Sequence, residues 1–417
     1  MTTTDGGWAA ARRRATSPVD VAWPIAIVLA LATIDWSLTL SLGGRSIALP
    51  APQLGVLVVA GGAAVLVVLR GRLQWDWLVV AYVALAIVPI VQARVLDVAA
   101  AGGTGVFTTV GLLLVAFHQY DVPDEPRSSR AVIAFATFGV VLACWMAVQW
   151  IAAVDDPGRF YDLKRSVSLP IGPGNFVAAA LLVPILLVLG EPAERSWRVP
   201  ALVVLLGGFA ITLSRAGWLT LTAVLLVRSW LGRRDQRAPW STRQRLALGG
   251  GLALILGIYL FVGSTPGDRL STLVRPAVGP RLTIWGAAWD AFWADPVAGF
   301  GLHGFAPISA AVGRFETHPH SMVLTGFGML GAVGGVLYVG TWVIALRRTW
   351  MGPGRATVGL ATLAIFLHAQ VGAWSLYLVF ELLMVMLVVL GTSRAPAASG
   401  QAVHQVGLPW GRQEVGE

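Results

Sequence analysis

Long apolar runs separated by short polar connections follow one another along most of the chain. A run of about 20 apolar residues is long enough to cross the hydrocarbon core of a bilayer as a helix. The runs predict membrane spans at 21–42, 51–69, 75–93, 98–117, 131–152, 172–190, 199–213, 215–231, 246–263, 321–346, 356–373 and 375–391. The pattern therefore predicts an all-α integral membrane protein with about 12 transmembrane helices, which form one polytopic domain over residues 21–391.

Composition excludes a soluble protein. Of the 417 residues, 56% are hydrophobic and 12% are charged, whereas a soluble domain carries about 25% charged residues. The net charge of +9 lies mostly in the connections between spans. It does not indicate a nucleic-acid partner, since no soluble basic domain is present to bind one.

Arginines in the connections predict the orientation. They are concentrated in the segments that would be cytoplasmic if the N-terminus is inside, most clearly between the eighth and ninth spans. Residues 1–20 are then a cytoplasmic N-terminal segment, and the polar tail 392–417 is a disordered cytoplasmic segment. The longest connection, about 264–320, lies between helices 9 and 10 and is extracytoplasmic. Long loops are often functional.

A helix is predicted in this loop over Pro280–Asp295, because proline suits a first turn and large apolar side chains recur at helical spacing. Arg281 stands at its start. A helix N-terminus combined with a guanidinium can bind phosphate. The alternative is a helix that only packs over the bundle.

Two histidines, His318 and His320, directly precede the tenth span. A histidine at the outer membrane surface can act as a general base, and an ordinary interfacial histidine is the alternative. Their spacing could also suit a metal, but no cysteine or convincing third ligand lies near, so no metal site is expected.

Other polar residues fall at or near the outer ends of spans. Arg215 lies at the junction of the seventh and eighth spans, where an arginine is costly unless it is paired, functional or snorkelling to the interface. Further candidates are Arg165, which follows Arg159 and Lys164, and Asn175 at the start of the sixth span. Asp35 and Glu381 lie inside predicted helices, and the sequence leaves open whether they pair with arginines or shape an acceptor site.

The spacing of His320-Ser321, nine residues, Gly331, two residues and Gly334 resembles the signature of the O-antigen ligase family. Three further stretches are similar to segments of that family: Ser214-Arg215-Ala216, Arg281–Trp285 with the following Pro296, Gly299 and Gly301, and Asn175. The resemblance covers about residues 160–395.

This resemblance implies a membrane glycosyltransferase of the bacterial inner membrane. Its donor would be a glycan on a polyprenyl diphosphate, and its acceptor a hydroxyl of a glycolipid, glycan or protein on the extracytoplasmic face. The family implies His320 as the base and Arg215 and Arg281 as diphosphate ligands, without metal or nucleotide cofactor. Arg165, Asn175, His318, Ser321 and Asp35 are possible additional site residues.

Two alternatives stay open at this point. A polymerase of the same superfamily would use the same donor with another glycan as acceptor. A transporter or flippase would place its charges at the bilayer midplane rather than at one surface. The sequence shows neither a clear inverted repeat nor paired broken helices.

Overall fold

The structure is a computed structural model. It describes residues 21–34, 36–42, 45–70, 77–95, 103–120, 128–153, 168–191, 195–235, 278–301, 304–314, 316–350, 356–372 and 376–391.

Within these residues the chain is mostly helical. Its helices are α1 (Ala22–Ala32), α2 (Ala51–Arg70), α3 (Trp77–Val95), α4 (Gly103–Gln119), α5 (Ser128–Ala153), α6 (Gly174–Gly190), α7 (Arg198–Ile211), α8 (Arg215–Asp235), α9 (Val278–Ala294), α10 (Phe305–Ala311), α11 (Met322–Trp350), α12 (Ala356–Ala369) and α13 (Leu378–Gly391). Two small antiparallel sheets accompany them, β1 (Ser37–Leu42) with β2 (Arg45–Pro50), and β3 (Ser168–Leu169) with β4 (Gly172–Pro173).

Every predicted span that falls on described residues corresponds to a helix, except for the second half of the first. Four helices of the described part are long and apolar enough to cross a membrane, in the segments Ala51–Leu69, Trp77–Arg94, Arg130–Ala152 and Met322–Trp350. Six shorter apolar helices accompany them. The ninth predicted span, the N-terminal segment 1–20 and the tail 392–417 lie outside the described residues.

The prediction of one helix over 21–42 and of an all-α fold was wrong at this point. Helix α1 ends at Ala32, and a hairpin follows in which Ser37 pairs with Pro50 and Leu42 pairs with Arg45. The reason is visible in the sequence Ser-Leu-Thr-Leu-Ser-Leu of β1, which alternates polar and apolar residues. This period of two suits a strand rather than a helix. A hydropathy average over a window does not detect the alternation.

Helix α6 lies at the centre of the bundle. Its side chains from Phe176 to Val188 are buried, and it packs against α5, α7, α8 and α12. A helix that is apolar on all sides is either a lipid-facing membrane span or a buried core helix, and the contacts of α6 make it a core helix. The start of α6 is therefore held firmly, and it is beside this start that the candidate site lies.

Candidate active site

The turn before α8 presents Arg215 at a helix start. Ser214 is buried, and its Oγ accepts a hydrogen bond of 3.1 Å from the backbone N–H of Gly217. Its carbonyl oxygen accepts another of 3.0 Å from the N–H of Trp218. Ser214 is thus the N-cap of α8. Leu213 before it has a φ of +50°, a conformation that costs energy for a non-glycine residue.

The turn before α11 has the same construction and presents His320. Ser321 Oγ accepts a hydrogen bond of 3.4 Å from the N–H of Leu324, and its carbonyl accepts one of 2.8 Å from Thr325. His320 itself has a φ of +57°. Strained backbone of this kind is held by its surroundings and is concentrated at functional sites. The serines of both sequence motifs therefore act as helix caps that hold the backbone of the neighbouring Arg215 and His320.

Arg281 and Glu316 connect these two helix starts. His320 Nε2 lies 3.0 Å from Glu316 Oε2. Arg281, on the first turn of α9, interacts electrostatically with Glu316 and with Arg215. The structure thus brings together Arg215, Arg281 and His320, although Arg215 and His320 are 105 residues apart in the sequence. Glu316 joins them in the same cluster.

The electrostatics of this cluster favour an anion. Burial lowers the pKa of the Arg281 guanidinium, the like charge of Arg215 lowers it further, and the carboxylate of Glu316 opposes both effects. Two neighbouring guanidinium groups with a single carboxylate carry excess positive charge. A bound phosphate or diphosphate would supply the missing negative charge and accept bidentate hydrogen bonds from the arginines.

His368 belongs to the same region, although the sequence gave no reason to select it. It is fully buried near the C-terminal end of α12 and interacts electrostatically with Arg281. In the sequence it is one polar residue in an apolar span, which is ordinary. Only the packing of α12 against α6, in which Thr357 at the start of α12 lies beside Gly190 at the end of α6, places it at the site end of the bundle.

Asn175 and His318 lie at the edge of this region. A Cβ on Gly174 would stand 2.9 Å from the carbonyl oxygen of Thr212, so α6 begins directly beside the turn that carries Arg215. Asn175 is half-buried there. The ring of His318 packs at 5.5 Å from the ring of Tyr377.

Three candidates remain to be placed. Arg165 and Asp35 lie outside the described residues. Glu381 is buried inside the bundle, where it accepts hydrogen bonds from the hydroxyl groups of Tyr82 (3.1 Å) and Tyr338 (2.6 Å). Its partners are therefore tyrosines rather than arginines. Among the described residues, no three His, Cys, Asp or Glu side chains form a group that could hold a metal ion.

The segment that follows α9 inserts into a break in α11. The backbone N–H of Phe300 donates to the carbonyl of Gly328 at 2.7 Å, and the N–H of Ala332 donates to the carbonyl of Pro296 at 2.7 Å. Gly331 lies between these two bonds and has a φ of +70° and a ψ of −177° inside the helix. These bonds connect the segment after α9, the helix that carries Arg281, to α11, the helix that begins after His320.

The glycines of the motif are explained by this contact. A Cβ on Gly331 would collide with the carbonyl of Val297, and one on Gly299 would collide with the carbonyl of Gly328. The side chain of Gln92 adds to the contact, since its Nε2 donates to the carbonyls of Ala298 (2.6 Å) and Met329 (2.8 Å).

Replacing Gly331 should loosen this contact. In Gly331→Ala the new Cβ meets the Val297 carbonyl and the backbone occupies a region almost restricted to glycine, so we expect a loss of about 1–3 kcal/mol in stability. Thermal unfolding of the detergent-solubilised protein measures it. Gly340→Ala is the matched control, since its Cβ on the same helix would meet nothing within 4 Å. Equal unfolding temperatures for the two variants would contradict this account.

The comparisons with known proteins agree with the motifs. The family profile described as O-antigen ligase matches residues 200–339, a segment that contains Arg215, Arg281, Glu316 and His320. No curated protein matches the chain. The resemblance inferred from the motifs is thereby confirmed over this segment, which is shorter than the region of about 160–395 expected from the sequence.

Proposed function

We propose that this multi-pass membrane protein, whose residues 200–339 match the O-antigen ligase family, transfers a glycan from a polyprenyl-diphosphate carrier to an acceptor hydroxyl. Arg215 and Arg281 bind the diphosphate in this proposal, and His320 is the general base. The acceptor is a glycolipid, a glycan or a protein. Neither a metal ion nor a nucleotide takes part.

One observation carries the proposal. The two arginines interact with each other, and a carboxylate that interacts with one of them also touches His320 at 3.0 Å. Two guanidinium groups that could bind an anion and an imidazole that could act as a base therefore lie near one another at one end of the helix bundle. This is the arrangement that displacement of a diphosphate by a hydroxyl requires.

The reaction uses each group once. The acceptor oxygen forms a bond to the anomeric carbon and its proton passes to His320, while the bond from that carbon to the phosphate oxygen breaks. The electron pair leaves on the diphosphate. The guanidinium groups of Arg215 and Arg281 compensate the charge that develops on the leaving group. A single displacement of this kind inverts the anomeric centre.

The membrane setting fits such a donor. The diphosphate would be bound at the surface while the polyprenyl tail stays in the bilayer and enters from the side, between helices. The arginine distribution of the connections supports an inner-membrane orientation with both termini cytoplasmic and the site extracytoplasmic. Helices α6, α8 and α11 all begin at the site end, as this orientation requires.

A polymerase of the same superfamily would use the same cluster with a second glycan as acceptor. A transporter or flippase is less well supported, because the arginines and His320 are at helix starts and not at the midplane of the bundle. The carboxylate of Glu381, which is buried inside the bundle, has two tyrosine hydroxyl partners.

A strain that lacks the gene distinguishes these functions. For a ligase, we expect full-length glycans to accumulate on the lipid carrier, and the purified protein should transfer such glycans in the presence of EDTA. Accumulation of single repeat units would instead indicate a polymerase. The proposal would be overturned if this strain had unchanged lipid-linked glycans on the extracytoplasmic face and the purified protein transferred no glycan.

A further inference from the structure

Glu316 is the residue of the cluster that neither the motifs nor the proposed reaction requires. It lies four residues before His320, and its Oε2 stands 3.0 Å from His320 Nε2. The His320 side chain is 21% exposed and the Glu316 side chain is 47% exposed. The contact therefore remains accessible to a substrate that approaches from solvent.

The chain holds Glu316 in place through the short helix α10. Ser309 is fully buried on that helix, and its Oγ accepts a hydrogen bond of 2.9 Å from the backbone N–H of Glu316. The carbonyl of the same serine accepts the N–H of Arg314 at 2.9 Å. A buried residue thus anchors the backbone from which the carboxylate reaches the imidazole.

We propose that Glu316 is a positioning residue for His320. Its carboxylate accepts a hydrogen bond from Nε2–H, which keeps the proton on Nε2 and leaves Nδ1 as the nitrogen that takes the proton of the acceptor hydroxyl. This inference rests on the proposed function, since it assigns the tautomer of the base in that reaction.

The proton balance gives the carboxylate a second effect. Before transfer, neutral His320 shares its Nε2 proton with ionised Glu316. When the acceptor oxygen bonds to the anomeric carbon, its proton moves to Nδ1 and His320 becomes an imidazolium. The negative charge of Glu316 stabilises this cation as it forms. No other reactant is needed.

The two arginines of the cluster act in the opposite direction. Arg281 interacts with Glu316 directly, and Arg215 and His368 interact with Arg281. His318 lies two residues before His320 on the same turn. Positive charge on the two arginines disfavours an imidazolium nearby, and Glu316 is the carboxylate that the described part of the chain places against it.

Variants at position 316 separate the two effects. Glu316→Gln retains a side-chain oxygen that can accept the hydrogen bond but loses the charge, and Glu316→Ala loses both. We expect kcat to fall about tenfold or more in Glu316→Gln and further in Glu316→Ala, with a smaller change in the KM for donor. The acid limb of the pH–rate profile should also move to lower pH in both, because the imidazolium is no longer stabilised.

Glu191→Gln is the matched control. Glu191 forms the same i,i+4 pair with Arg195, at 2.9 Å, at the far end of α6 from the site. Its loss should change neither kcat nor the pH profile. Adding Glu316→Gln to His320→Ala should cause little further loss, because the carboxylate acts through the imidazole.

The outcomes separate this inference from the function on which it depends. If His320→Ala is inactive while Glu316→Gln and Glu316→Ala keep the activity and the pH profile of the wild type, the positioning role is excluded and the function stands. If His320→Ala is itself active, the proposed function fails first. A kcat that falls in Glu316→Gln with an unmoved acid limb would also overturn the role, since it would indicate a structural loss.

Discussion

His320→Ala is expected to lose about 10²- to 10⁴-fold in the rate of glycan transfer, the usual contribution of a general base. Donor binding and the amount of folded protein should change little, since the φ of +57° at this position is a backbone feature and the cap of α11 is made by Ser321. The rate of the wild-type protein should fall as the pH is lowered, because a protonated imidazole cannot accept a proton.

His318→Ala is the matched comparison for this variant. His318 lies on the same turn, but its ring packs against Tyr377, and its distance from Gly331 does not fit the motif. We therefore expect it to keep substantial activity. A purified His320→Ala protein that transfers glycan at the wild-type rate would remove histidine as the base.

Arg281→Ala and Arg215→Ala are expected to weaken donor binding and to lower transfer by about 10²- to 10³-fold each, the range lost when one stabilising group is removed from a developing anion. Lysine at either position should also impair transfer, because an ammonium lacks the planar, bidentate guanidinium. Binding of lipid diphosphate and single-turnover transfer measure the two effects separately.

Arg314→Ala provides the control for charge alone. Arg314 is an exposed arginine two residues from Glu316, and Arg314→Ala removes one positive charge from the segment between α8 and α11 that also contains Arg281. We expect near-normal donor binding for it. Wild-type binding by both Arg281→Ala and Arg215→Ala would mean that these arginines have only orientation or packing roles. The two arginine losses should also be less than additive, since the side chains interact with each other and would bind one ligand in the proposed reaction.

The elements that could be predicted from the sequence are those whose signal is local. A span such as 51–69 reappears as α2 (Ala51–Arg70) within a residue at each end, because burial in a bilayer depends on an unbroken apolar run. The strands between Ser37 and Pro50 were missed because the prediction relied on apolar runs. Their leucines alternate with polar residues, and an average over a helix-length window hides the alternation.

The candidate site was predictable to the extent that its residues stand in short motifs. Ser214-Arg215 and His320-Ser321 each combine a cap with a candidate site residue over two positions, so the sequence alone indicates them. Arg281 was indicated by its place at the start of a predicted helix, and that helix is present as Val278–Ala294. No motif places these three side chains in one cluster.

The sequence by itself determined the membrane class of this protein, most of its helices and the residue types of the candidate site, since each follows from a local pattern. Only the tertiary structure decided which residues meet. The carboxylate of Glu316 is placed against His320 by the buried Ser309, and His368 reaches the site through the packing of α12. The break at Gly331 admits the loop after α9. These contacts join segments that are distant in the sequence. Their energies depend on how the helices pack and not on the sequence neighbours of the residues in contact.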